Sequence, residues 1–172
     1  IIEISFNKYG YNGILIGNPF NETYYRFRAD AILYYSNGLI LIDFKDYKGI
    51  IKLPQNSNEF SSNKWYNESI NDRSRLEIKA GASFINPFRQ LVSYRNAFRE
   101  ILENNKYLNG INPARVCIAN IFSGPIEVHN EVPRNLPYYK LIQELELANF
   151  IYDFASDNTY EEDIAKVLKS IF

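Results

Sequence analysis

Residues 24–48 read YYRFRADAILYYSNGLILIDFKDYK, and the fold is decided there. Residues 24–35 and 39–46 are two runs rich in β-branched and aromatic side chains, the composition of strands. Ser36-Asn37-Gly38 separates them, and Asn-Gly between such runs is a strong hairpin signal. If Asn37-Gly38 is a two-residue turn, Ser36 faces Leu39 and facing residue numbers sum to 75. Asp30 then lies opposite Lys45, and Asp43 opposite Ile32. Side chains alternate along a strand, so Asp30, Asp43 and Lys45 share one face. Ala29, Ala31, Ile40, Ile42 and Phe44 take the other. A three-residue turn would break this parity.

Two carboxylates and an ammonium thus meet within otherwise apolar strands. Two converging carboxylates are what Mg²⁺ or Mn²⁺ recruits, alongside waters and substrate phosphate. Such a cation polarises a phosphoryl oxygen and acidifies a bound water. A neighbouring lysine can orient or deprotonate that water, or offset charge building on the phosphate. Acid-x-Lys by itself is a weak signal, since about one match is expected by chance in such a chain. Asp43-Phe44-Lys45, Asp46-Tyr47-Lys48 and Glu77-Ile78-Lys79 all fit it. Only Asp43 and Lys45 lie inside an apolar strand, where a buried charge must be paired or metal-bound. On these residues alone, a structural ion-pair cluster remains the competing interpretation.

Outward from the hairpin, Gly13–Gly17 (GILIG) reads as a short strand, and residues 49–53 continue the sheet after a bend. The N-terminus reads as strand and turn. Residues 55–75 read as a long polar surface loop interrupted by Trp65-Tyr66. Asn86-Pro87 starts a helix, with Asn86 as N-cap and proline at the first position, where its missing donor costs nothing. Phe88, Leu91, Phe98 and Leu102 form its apolar stripe, and Gln90 sits at the border of that stripe. Residues 114–122 (ARVCIANIF) read as a buried strand. Residues 141–155 read as an amphipathic helix with Leu141, Leu145, Ala148 and Tyr152 on one face, and residues 161–172 as a last helix. The order predicts a single mixed α/β domain over residues 1–172.

Composition narrows the chemistry. One histidine, His129, and one cysteine, Cys117, exclude a multi-histidine zinc site. Cys117 lies in an apolar run, where a small buried hydrophobe is expected. A lone cysteine also fits a cytoplasmic protein, and no apolar run is long enough to span a membrane. Residues 1–115 hold 15 Lys/Arg against 11 Asp/Glu, net +4, whereas residues 116–172 hold 4 against 9, net −5. The chain contains no methionine, so it reads as a fragment of a longer protein. A net charge of −1 does not announce a nucleic-acid binder, but contacts to a phosphate backbone would come from the basic first part. Arg26 and Arg28 fall on the face of Asp30, Lys48 follows the strand of Asp43, and Arg89 opposes the helix stripe.

The run RADAILYYSNGLILIDFKDYKGII, then Trp65, then NPFRQLVSYRNAF resembles the nuclease-related domain, NERD, of the PD-(D/E)XK nuclease superfamily. Asp30, Asp43, Lys45, Gly49, Trp65, Asn86, Pro87 and Gln90 fill that family's places in order, over roughly residues 24–155. The resemblance implies a restriction-endonuclease-like mixed sheet with a catalytic hairpin, flanked by helices. It implies a Mg²⁺-dependent nuclease acting on DNA, with Asp30 and Asp43 as metal ligands and Lys45 and Gln90 in the catalytic set. It also implies a helicase or kinase module as companion in the full-length protein. The family's glutamate on a helix before the first catalytic strand has no counterpart in this reading, with Glu3 and Glu22 poor substitutes. A catalytically silent module that binds nucleic acid or a partner is therefore the alternative.

Overall fold

The computed structural model describes residues 2–81 and 83–172. In chain order the elements are α1 (Ile2–Tyr9), β1 (Gly13–Gly17), β2 (Ala31–Tyr35), β3 (Gly38–Lys45), β4 (Gly49–Lys52), β5 (Tyr66–Glu68) and β6 (Arg75–Glu77). There follow α2 (Pro87–Asn104), β7 (Cys117–Phe122), β8 (Ile126–His129), β9 (Tyr139–Gln143), α3 (Leu147–Asp153) and α4 (Glu162–Ile171). One sheet has the order β1-β2-β3-β7-β9, the other β6-β5-β4-β8. The hairpin strands β1, β2 and β3 pair antiparallel, whereas β3, β7 and β9 run parallel.

Two chain segments run through both sheets. β3 leads into β4 and β7 into β8, so that β3 pairs parallel with β7 in one sheet and β4 pairs parallel with β8 in the other. Both segments turn together where the sheets meet. There Ser123 N donates to Lys45 O (3.0 Å), Gly49 N donates to Pro125 O (2.9 Å), and Ser123 Oγ donates to Asp46 Oδ1 (2.7 Å). Gly124 allows the approach, because a Cβ on it would lie 2.7 Å from Lys48 Cβ.

β2, β3 and β7 are covered on both faces, which is why their sequences are nearly continuous apolar runs. Ile32, Tyr34, Leu39 and Leu41 pack with α2 and α4 through Phe88, Leu91, Phe98, Ile164 and Leu168. Leu33, Tyr35, Ile40 and Ile42 face Leu147 and Ile151 of α3, with Ile2 and Phe6 of α1 beside them. The mixed α/β fold is thus a central sheet between two helical layers. Asn86 caps α2 as expected, its side chain accepting from Arg89 N (2.9 Å), and Pro87 opens the helix.

Several local expectations are corrected. The hairpin turn is Ser36-Asn37, with Tyr35 paired to Gly38, so partner numbers sum to 73. Ser36 N donates to Asn12 O (2.8 Å) and Asn37 O accepts from Ser156 N (2.6 Å), tertiary bonds that outweigh the local Asn-Gly preference. The shift is two residues, so face parity survives. Residues 24–30 are not strand, because β1 ends opposite Ala31 and leaves them no partner on that side. They coil instead, and Phe27 packs on Phe98 and Phe172, each 5.3 Å away by ring centroids.

The N-terminus is helix rather than strand and turn. Ile2 and Phe6, four residues apart, both reach the second core, and that packing overrides the β-branched composition. Residues 55–75 carry β5 and the start of β6, pinned by buried Phe60 and Trp65, instead of forming one surface loop. The segment expected as one helix over 141–155 is divided. Residues up to Gln143 add a parallel strand beside β7, and Gln143 N donates to Glu146 Oε2 (3.1 Å), which starts the helix later. Leu145 and Tyr152 of the expected stripe are consequently exposed, and Leu147 and Ile151 are buried in their place.

Candidate active site

Asp43 and Lys45 stand at the end of β3, on the face covered by α2. Both are buried, Asp43 at 2% and Lys45 at 8% exposure. They pair directly, Lys45 Nζ to Asp43 Oδ2, at 2.8 Å. Gln90, one turn into α2, accepts from Lys45 Nζ through Oε1 at 3.0 Å. The border position on the helix stripe is what lets a glutamine reach the sheet. Its Nε2 donates in turn to the Tyr94 hydroxyl (3.1 Å), one helical turn further on.

Asp30 lies one step before β2. Its backbone N donates to Ile42 O (2.9 Å) and its Oδ2 accepts from Phe44 N (2.6 Å). The observed register therefore brings Asp30 beside Asp43, not opposite Lys45 as the turn assignment predicts. Its negative charge is felt at Asp43. The structure thus gathers Asp30, Asp43, Lys45 and Gln90 in one place.

Two buried side chains complete the cluster from behind. Asn120 of β7, paired in register with Asp43, donates from Nδ2 to Asp43 Oδ2 at 2.8 Å. The Tyr139 hydroxyl of β9 donates to Asn120 Oδ1 at 2.9 Å. The sequence offered a sign of Asn120: a carboxamide inside the apolar strand CIANIF, as Asp43 is a carboxylate inside LILIDFK. Tyr139 carried no such sign. Burial pushes the Asp43 carboxyl up to about 6, against the pull of the Lys45 ammonium, with Asp30 adding to the rise. Burial also holds the Tyr139 phenol well above its ordinary value.

The donor set suits a hard divalent cation. Among the described residues, no group of three or more His, Cys, Asp and Glu side chains is placed to hold a metal. The site offers two carboxylates, the number Mg²⁺ takes when waters and a phosphate complete its shell. Among the described residues, every hydrogen bond to these two carboxylates ends on Oδ2. The mutual repulsion of Asp30 and Asp43 is what a bound cation would relieve.

The other expected residues are dispersed. Arg28 Nε donates to Tyr25 O (3.0 Å), and its charge is felt at Tyr94, next to the cluster. Arg26 lies instead over the Tyr25 ring, where the Glu100 charge reaches it, so it does not share the Asp30 face. Alternation fails there because residues 24–30 coil. Lys48 lies at the bend against Gly124, and Arg89 is exposed in the first turn of α2. Glu3 is on α1, lining a cleft with Phe44, Ser123 and Glu144.

Trp65, Asn86 and Pro87 build the wall behind the cluster. Trp65 Nε1 and Asn86 Nδ2 both donate to Phe60 O (3.2 and 3.0 Å), and Asn86 Nδ2 also donates to Asn63 O (2.7 Å). Phe60 and Phe88 close on the Tyr139 ring with centroids 5.8 and 5.0 Å away.

No helix among the described residues is long and apolar enough to cross a membrane. No curated protein and no solved structure matches the chain in the corresponding comparisons. The sequence profile of the nuclease-related domain family, NERD, matches residues 4–121. That span opens in α1 and closes in β7, taking in Asp30, Asp43, Lys45, Trp65, Asn86, Gln90 and Asn120 and stopping short of β9. With most of its length matched, the chain belongs to the nuclease-related domain family.

Proposed function

We propose that this domain is a metal-dependent nuclease of the PD-(D/E)XK type that hydrolyses DNA phosphodiester bonds. The observation that carries the reading is the buried Lys45 ammonium, held between the Asp43 carboxylate and the Gln90 carbonyl. A structural ion pair gains little from such burial, because desolvation offsets attraction. Asp30 and Asp43 would hold Mg²⁺ or Mn²⁺. The cation would supply polarisation of the scissile phosphate and an acidified water. Lys45 would orient that water and offset charge developing on the phosphate, and Gln90 would hold the lysine in place.

The test is cleavage of plasmid and linear DNA with Mg²⁺ or Mn²⁺. Lys45→Ala should lose about 10²–10⁴-fold in rate while keeping DNA affinity, as expected for a group serving the transition state. Asp43→Asn should lose metal binding as well as cleavage. Equal cleavage by wild type and Lys45→Ala would defeat the assignment. The presence of only two candidate carboxylates among the described residues favours a second reading, a catalytically silent nucleic-acid-binding module. DNA binding without cleavage under either metal would select it.

A further inference from the structure

Behind Asp43 runs a buried relay that the acid-x-lysine pattern does not include. Asn120 is fully buried and Tyr139 nearly so, and each has its polar group bonded within the relay. The order of donors is fixed by chemistry. Asp43 Oδ2 is an acceptor, so Asn120 must turn its NH₂ toward it and its carbonyl away. That carbonyl faces the Tyr139 hydroxyl, whose proton has Asn120 Oδ1 as its acceptor. A flipped amide would set oxygen against carboxylate at one end and strand the phenol proton at the other.

We propose that Asn120 and Tyr139 are positioning residues for the metal ligand Asp43. Resting on the metal-centre reading above, the assignment gives Oδ2 to Lys45 and Asn120 and reserves Oδ1 for the cation. Tyr139 acts one step removed, by fixing the orientation of the Asn120 amide. The aromatic wall of Phe60, Trp65 and Phe88 fixes Tyr139 itself. Trp65 and Asn86, two of the residues that carry the family resemblance, therefore serve the site through this wall, without touching the reacting groups. Partners that orient metal ligands in this way are typically worth roughly 10–100-fold in metal affinity.

The experiment measures Mn²⁺ binding to the protein directly, by the electron paramagnetic signal of free Mn²⁺, for wild type, Tyr139→Phe, Asn120→Ala and Phe98→Leu. Circular dichroism and thermal melts establish that each variant is folded. Tyr139→Phe keeps the ring in its aromatic box and removes only the hydroxyl. It should weaken Mn²⁺ binding about 10-fold, with Asn120→Ala weaker still. Phe98→Leu disturbs the same core away from the relay and should bind Mn²⁺ as wild type does. In cleavage assays Tyr139→Phe should recover most of its rate as Mn²⁺ is raised, whereas Lys45→Ala should not. Should Asn120→Ala fail to fold, Tyr139→Phe decides alone. Wild-type affinity in a folded Tyr139→Phe overturns the positioning role and leaves the nuclease reading intact. Mn²⁺ binding that weakens as expected in a protein that cuts no DNA overturns the nuclease reading and supports the relay. A wild type that binds no Mn²⁺ overturns both.

Discussion

At the scale of the residue, the site is a charged pair inside a sheet, and its cost should be measurable. Folding raises the Asp43 carboxyl from 3.8 to about 6, chiefly through burial. Between those values the native state holds the proton that the unfolded chain has already released. The contribution is therefore fully present below about pH 4 and disappears as pH rises through about 6. A rise from 3.8 to about 6 corresponds to a change on the order of 3 kcal/mol. Other carboxylates titrate in the same range, so wild type should be compared with Asp43→Asn by urea denaturation of metal-free protein. The stability of wild type relative to the variant should fall between pH 4 and 6.5, and a flat difference would refute the buried, destabilised carboxylate. The sequence showed Asp43 and Lys45 because charges inside an apolar strand have few bland explanations. Helical periodicity placed Gln90 only at the border of the α2 stripe, and it was the family resemblance that pointed to it. Asn120 bore the same kind of sign as Asp43 more faintly, and Tyr139 bore none, since a tyrosine beside a strand carries no mark of its hydroxyl's partner.

Among the elements, the hairpin was legible for a reason that survived an error in its turn. Both the expected and the observed registers place Asp30, Asp43 and Lys45 on one face, because they differ by two residues. The misreadings share a physical cause: local composition yielded to long-range contacts. Ser36 and Asn37 are held by Asn12 and Ser156, α1 is drawn onto the second core, and β9 pairs with β7 across a separation no periodicity reports. The start of α2 is the opposite case, for local signal and tertiary role coincide in Asn86. Its Oδ1 caps the helix, and its Nδ2 satisfies Phe60 O and Asn63 O. Asn86→Ala should cost about 1–3 kcal/mol, of which the missing cap is about 1 and the lost ties to Phe60 O, which keeps its bond from Trp65 Nε1, and to the part-buried Asn63 O are the rest. Thermal or urea unfolding measures it. A cost under about 1 kcal/mol would mean that cap and loop tie are replaceable by water.

For the whole molecule, the question is where a polyanion would lie. Net charge is −1, so attraction to DNA has to come from placement and not from the total. Residues 1–115 carry the positive excess, and the cluster lies among them apart from Asn120 and Tyr139. Within that excess the structure divides two arginines that the strand pattern had grouped. Arg28 extends its influence to Tyr94 beside the cluster, whereas Arg26 turns toward Glu100 further along α2. Removing one cation that neutralises a phosphate should reduce the salt dependence of DNA binding by about 0.9 in the log–log slope. Binding of a duplex too short to wrap the domain should be measured in the Lys45→Ala background, to prevent cleavage, across a range of salt. Arg28→Ala and Arg89→Ala should each weaken binding and lower the slope by about that amount, without regard to sequence. Arg26→Ala should leave both nearly unchanged, because the neighbouring Glu100 already offsets its charge. If Arg26 and Arg28 contribute equally, the DNA crosses the domain along the back of α2 and not over the Asp43 cluster, and the proposed cleavage geometry fails with it.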